Sequence, residues 1–170
     1  MLTAPAPLAE HHEIEHFDCG VDSLNDWLRR RARANHVAGA SRTYVVCEGA
    51  EVVAYYALAS GSVAAVAATG RFRRNMPEPI PVAILGRLAV ARAFEGQGLG
   101  RALMRDAAGR LAVAADVIGI RGLVVHAISE EARAFYLAIG LDPSPIDPMM
   151  LMMSLSDLRA ALGSGPGAPR

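Results

Sequence analysis

The chain has 170 residues, of which 52% are hydrophobic, with 17 basic and 17 acidic side chains that cancel. That size suits one domain with a sizeable core. Two cysteines (Cys19 and Cys47) exclude a disulfide framework or a cysteine metal cluster, and no apolar run reaches the roughly 18 residues of a membrane span. Met1–Glu10 lacks the basic and apolar regions of a signal peptide, so a reduced cytoplasmic setting is expected. Every basic residue is arginine, and two groups stand out: Arg29, Arg30, Arg31 and Arg33, then Arg71, Arg73 and Arg74. Each group is either a solvated face or a contact for nucleic-acid phosphates.

In chain order, residues 1–10 carry Pro5 and Pro7 and read as a flexible lead-in. His11–Phe17 alternates enough for a first strand. Asp18-Cys19-Gly20 forms a turn before a helix over Val21–Val37, with Leu24, Trp27, Leu28 and Ala34 as its apolar face. Asp22 and Asp26 early in that helix and arginines late suit its dipole. Arg42–Glu48 and Glu51–Val63 are β-rich and separated by Gly49-Ala50, which predicts a hairpin. Ala64–Pro79 is irregular. Ile80–Ala91 reads as the central strand, with Gly86 marking a bulge or a close backbone approach. A helix follows over Gly98–Val117, faced by Leu99, Leu103, Ala107, Leu111 and Ala114. Arg121–Ile128 is a buried strand. Glu130–Ile139 is a short helix between an N-cap, Ser129, and a C-cap, Gly140. Leu141–Asp147 is a proline-rich loop, Met149–Leu155 a last strand, and Ser156 caps a final helix to Leu162. The pattern predicts an α/β (α+β) domain over residues 11–162, with a strand meander, one βαβ crossover and a disordered tail at 163–170.

The stretch Arg87-Leu88-Ala89-Val90 leading into Glu95-Gly96-Gln97-Gly98-Leu99-Gly100-Arg101 is a strand, a glycine-rich turn and a helix start. Orphan N–H groups and the positive dipole end converge there, which suits a phosphate or pyrophosphate. A plain strand-to-helix connection has the same composition. The glycine spacing is wrong for a dinucleotide fingerprint, and the Lys-Ser/Thr of a P-loop is missing.

The same stretch resembles motif A of the GCN5-related N-acetyltransferases (GNAT), and Glu130–Leu141, with Tyr136 and Gly140, resembles their second signature. Phe17-Asp18-Cys19-Gly20, Trp27-Leu28, Ser41–Val45, Tyr55-Tyr56, Pro79–Val82, Leu85–Val90, Val125-His126-Ala127, Phe135-Tyr136 and Ser144-Pro145 are similar to the acetyltransferase toxins of type II toxin–antitoxin systems. That likeness spans about residues 14–155. It implies the single-domain acyl-CoA N-acyltransferase fold, a mixed central sheet with a splayed pair of strands.

The resemblance also implies a reaction and a set of roles. Acetyl-CoA would place its pyrophosphate on Gln97, Gly98, Leu99, Gly100 and Arg101 and its pantetheine along Leu88, Ala89 and Val90, with Ser129 and Phe135 also against the cofactor. A backbone N–H at Leu88 or Ala89 would stabilise the oxyanion, and Tyr136 would be the general acid for the leaving thiolate. The substrate would be the amino group of an aminoacyl-tRNA, whose acetylation inhibits translation. Its backbone would be held by Arg71, Arg73 and Arg74, with Arg29, Arg30 and Arg33 as further candidates. A ribbon-helix-helix antitoxin and a homodimer belong to the same expectation, with no metal and no membrane partner. Two departures stand out: Glu95 replaces the motif's usual Gln or Arg, and Ser129 a frequent Asn. Arg87 is either structural or part of the acceptor mouth. His126 and His36 read as core histidines or as a base, and Ser41 and Cys47 lack an activating partner. The alternatives are a GNAT enzyme for a small amine or protein N-terminus, and a non-catalytic CoA- or partner-binding module.

Overall fold

In the computed structural model, which describes residues Met1–Gly163, one mixed sheet has seven strands, of which the first lies in the lead-in and the sixth in the stretch expected as a proline-rich loop. They are β1 (Ala6–Pro7), β2 (Arg42–Glu48), β3 (Glu51–Val63), β4 (Ile80–Val90), β5 (Gly122–His126), β6 (Asp142–Pro143) and β7 (Met150–Ser154), in the order β1-β2-β3-β4-β5-β7-β6. The helices are α1 (Asp22–Arg30), α2 (Ala32–Ala38), α3 (Gly70–Arg73), α4 (Leu99–Ala115), α5 (Glu130–Ile139) and α6 (Leu155–Gly163). The tail predicted from Gly163 lies, beyond that residue, outside the described residues. No helix is long and apolar enough to cross a membrane among the described residues. The chain packs as two compact units, Met1–Ala59 with Gly86–Asp106, and Ser60–Leu85 with Ala107 onward.

The first unit is built on the β2–β3 hairpin, antiparallel from Arg42↔Leu58 to Glu48↔Glu51 with an irregularity at Val46/Cys47. One face of the hairpin presents Val45, Cys47, Val52 and Tyr55, and onto it pack Leu24, Leu28 and Ala32 together with Leu8, Ile14 and Phe17. The phenol of Tyr55 donates to the Leu24 carbonyl at 2.6 Å, which satisfies the one polar atom it takes into the core. The helix expected over Val21–Val37 is instead two. It breaks at Arg31 (φ −122°), and the break re-phases the apolar face so that Ala32 is buried and Ala34 is exposed. The Asp18–Gly20 turn forms as expected: Asp18 Oδ1 accepts from Gly20 N–H (2.9 Å) and Asn25 Nδ2 (3.1 Å), and Asn25 Oδ1 accepts from Cys19 N–H (2.9 Å). Gly20 sits at φ +87°, a conformation that needs glycine.

Two N-terminal expectations are corrected. His11–Phe17 is turns and bends, with one β-bridge to β3, Glu13↔Glu51. Its buried apolar residues, Ile14 and Phe17, lie three apart, a spacing that a strand without a bulge puts on opposite faces. The strand edge is supplied by the lead-in instead, where Ala6 and Pro7 pair with Val45 and Tyr44.

In the second unit β4 and β5 run parallel over Ala83–Leu85 and Leu123–Val125, as a crossover through α4 requires. β5 and β7 are antiparallel from Gly122↔Ser154 to His126↔Met150. A Cβ on Gly122 would collide with the Met153 carbonyl oxygen, so only glycine lets these strands close. Gly86 has open space around it and requires no such approach. Val63, Phe72, Ile80, Val82, Val124 and Met152 form the local core. Ser154, rather than the expected Ser156, caps α6: its hydroxyl accepts from Asp157 N–H at 3.2 Å.

Candidate acetyl-transfer site

At the end of β4 the chain is fixed twice: Ala91 N–H donates to Val53 O (2.8 Å) and Arg92 N–H to Asp18 O (2.9 Å). A single helical turn, Arg92–Phe94, leads to Gly96 (φ +79°) and Gly98 (φ +80°). The first helical bond of α4 runs from Ala102 N–H to the Gly98 carbonyl (3.1 Å). The amides of Gln97, Gly98, Leu99, Gly100 and Arg101 therefore find no acceptor among the described residues. A Cβ at Gly96 or Gly98 would meet nothing within 4 Å, so the space beside these residues is open. Free amides, a helix start and open space fit a pyrophosphate. Glu95 is exposed beside them, and its own N–H is turned back to Arg92 O (3.4 Å).

Backbone alternation gives β4 a second use. Ala91 N–H faces β3, so Ala89 N–H faces it too, and the amides of Leu88 and Val90 face the opposite edge. That edge suits an extended amide-bearing chain such as pantetheine. Of the two expected oxyanion donors, the Leu88 N–H faces that edge and the Ala89 N–H faces β3.

Helix α5 has both expected caps. Ser129 Oγ accepts from Ala132 N–H (3.1 Å), and Gly140 at φ +114° donates to Leu137 O and Tyr136 O. Tyr136 is buried and packs edge-on to the half-buried Phe135 with ring centroids 5.2 Å apart. Its hydroxyl makes no hydrogen bond among the described residues, and burial pushes its pKa up to about 12. The phenol is thus a neutral donor without a protein acceptor.

Residues 39–140 match the family model described as the acetyltransferase (GNAT) domain. The chain belongs to the GNAT acetyltransferase family. As a GNAT protein it is 52% identical over 161 residues to the "tRNA-acetylating toxin" of Mycobacterium tuberculosis, covering 95% of this chain and 97% of that one. It is 28% identical to a "probable toxin TacT" of Sinorhizobium fredii, covering 89% and 90%. Among solved structures, it superposes on a tyrosine-to-phenylalanine mutant of KacT with a TM-score of 0.87 at 26% identity, covering 94% and 98%. AtaT complexed with acetyl-methionyl-tRNA gives 0.86 at 28% identity, with the same coverage. AtaTR bound with acetyl-CoA gives 0.81 at 29% identity, covering 94% and 96%.

Within this GNAT chain the expected arginines divide into tied and untied. Arg29 is spent on structure: Nε donates to Glu15 O (3.1 Å), Nη2 to Phe17 O (2.6 Å), and Asp26 lies 3.6 Å away. Arg33 donates to the Glu10 and His12 carbonyls. Both hold the 10–17 segment down, which explains them without a phosphate. Arg71 forks onto Asp157. Arg30, Arg73 and Arg74 are exposed and have no partner among the described residues. Arg87 lies over the Trp27 ring at 4.5 Å, a packing role. His126 is exposed, not a core histidine. His36 is held neutral, its Nδ1 accepting from Thr43 N–H (3.0 Å) while burial, then Arg42, lowers its pKa. Burial pushes the Cys47 thiol up, away from the reactive thiolate. Asp157, the partner of Arg71, has no signal in the sequence because it stands near no motif.

Proposed function

We propose that the chain is an acetyl-CoA-dependent N-acetyltransferase that modifies the amino group of an aminoacyl-tRNA and so stops translation. The observation that carries this reading is the 52% identity to the tRNA-acetylating toxin across nearly the full length of both chains. The catalytic domain takes in β1 and Leu8 as well as the expected residues 11–162, and acts in the cytoplasm as a homodimer. The inhibitory partner is a ribbon-helix-helix antitoxin, in keeping with the structure of AtaT bound to the C-terminus of AtaR.

Acetyl-CoA supplies an activated acyl group as a thioester. The amides of Gln97–Arg101 hold its pyrophosphate, and the Leu88 and Val90 edge of β4 holds its pantetheine. Ser129 and Phe135 flank the cofactor. The Leu88 N–H would stabilise the negative charge on the thioester carbonyl oxygen as the amine adds. Tyr136 would hydrogen-bond the departing thiolate as the C–S bond breaks, and the proton that the nitrogen sheds as the amide forms would pass through solvent to the thiolate, giving free CoA. No base is required of the protein, because an α-amine with a pKa near 7.7–8.0 is already partly neutral at pH 7. Arg30, Arg73 and Arg74 remain free for tRNA phosphates.

The test is acetylation of charged tRNA by purified protein, read as an acetylated aminoacyl group together with release of free CoA. Growth arrest on induction, relieved by Tyr136→Phe, is the cellular counterpart. Turnover of a free amine with charged tRNA left unmodified would overturn the reading.

A further inference from the structure

Helix α3 has four residues, too few to persist by propensity alone. It is held in place from several sides. Thr69 Oγ1 accepts from Phe72 N–H at 3.2 Å, closing the N-terminal end. Phe72 is 2% exposed and anchors the turn among Val63, Ile80, Val124 and Met152. Arg121 closes the C-terminal end: its guanidinium donates to Phe72 O (2.8 Å) and Arg71 O (2.9 Å) and lies 5.9 Å from the Phe72 ring centroid. Arg71 in turn forks onto Asp157, Nε to Oδ2 at 2.8 Å and Nη2 to Oδ1 at 2.7 Å. Asp157 is itself fixed, since its N–H donates to Ser154 Oγ in the α6 cap.

These contacts deliver two side chains that do none of the holding. Arg73 and Arg74 stand at the end of the clamped turn, exposed and without a partner among the described residues. The Arg71–Asp157 fork is bidentate, the geometry in which a surface ion pair does add to stability, though modestly. Its geometric effect is larger: it sets where the two free guanidiniums begin. Planar guanidinium forks match phosphodiester oxygens, and a pre-set pair loses less freedom on binding than a loose one.

We infer that Asp157 and Arg121 are positioning residues for the nucleic-acid substrate, holding α3 so that Arg73 and Arg74 meet successive phosphates of the tRNA. This rests on the proposed acetylation of aminoacyl-tRNA.

Asp157→Asn gives a test in which charge and geometry predict opposite signs. Removing a carboxylate from a merely basic patch would tighten tRNA binding. Releasing the clamp weakens it. Steady-state kinetics with charged tRNA and acetyl-CoA should show the KM for tRNA rising about three- to tenfold, on the scale of lost preorganisation. The kcat at saturating tRNA and the KM for acetyl-CoA stay within about twofold, and Asp157→Glu restores most of the affinity. The Arg73→Ala/Arg74→Ala variant should flatten the dependence of log Kd on log salt by about 1.4–1.8, the value for two phosphate contacts. Adding Asp157→Asn to that variant should cost nothing further. If Asp157→Asn does not fold, Arg121→Gln carries the same expectations. An unchanged or lower KM for tRNA in Asp157→Asn overturns the inference, as does an unchanged salt slope in the double variant. A parallel fall in kcat and rise in the acetyl-CoA KM does so too, since it marks general loosening. Wild-type protein that leaves charged tRNA unmodified overturns the proposed function as well, whereas the preceding outcomes leave that function standing.

Discussion

Replacing Tyr136 with phenylalanine removes one oxygen and leaves the shape of α5 unchanged. Because that hydroxyl has no hydrogen-bond partner among the described residues, its loss orphans nothing in the protein and should shift stability by less than about 0.5 kcal/mol. Its catalytic worth follows from its acidity. Burial raises the phenol to about 12, whereas a thiol titrates near ~8.5, so complete transfer of the proton to sulfur is uphill by roughly 3.5 pH units, or about 5 kcal/mol. Tyr136 therefore works as a neutral hydrogen-bond donor to developing thiolate charge. Such a bond is worth about 1.5–3 kcal/mol, which is about 10- to 150-fold in kcat. Steady-state acetylation of charged tRNA by the Tyr136→Phe variant measures this, with acetyl-CoA affinity by calorimetry as the control, expected within about twofold. The wild-type rate should also show no tyrosine-dependent decline up to about pH 10, well below the raised pKa. A variant that keeps more than half of the wild-type kcat would refute the role. So would a limb near pH 9 that vanishes in the variant.

The remaining predictions concern the cradle and the fold. Glu95→Gln removes an exposed negative charge beside the free amides and should tighten acetyl-CoA binding about two- to fivefold at low salt, less at high salt; calorimetry at two ionic strengths reads it. Gly98→Ala puts a Cβ on a residue at φ +80°. The left-handed conformation then costs about 1–2 kcal/mol, seen as a lower Tm together with weaker acetyl-CoA binding. His12 and His36 both have lowered pKa values, burial being the first cause of each, and both accept backbone N–H bonds through Nδ1. The unfolded chain therefore takes up protons first. Stability is complete above their ordinary value of 6.5 and declines as pH falls from there through the lowered values of the folded state. A thermal-melt series from pH 8 to 5 should show that slope, and His36→Gln should make it shallower. An unchanged slope would remove His36 from the account.

Much of this was legible because local chemistry and tertiary role agreed. Ser129 and Gly140 bound α5 in the sequence and in the fold alike, since both caps act within a few residues. The turn after β4 was readable for the same reason. The break at Arg31 was not, as no helix-breaking residue marks it. The arginine clusters show the other limit. Composition groups Arg29 with Arg30 and Arg71 with Arg73, but only tertiary structure separates the side chains that hold carbonyls or Asp157 from those with no partner among the described residues. Asp157 lies 86 positions from Arg71, a distance over which no local pattern operates.

The stack of Arg87 on Trp27, with Tyr55 parallel to the indole at 11° and 6.0 Å, has a spectroscopic consequence. Trp27 is the chain's one tryptophan. Its emission reports from the unit that also holds the free amides of Gln97–Arg101, while Tyr136 belongs to the other unit. Excitation at the red edge of the indole band thus gives an unlabelled optical signal from the cofactor-cradle unit during a melt or a titration. A substitution in α3 or α6 that leaves this signal at its wild-type midpoint has left the cradle unit folded.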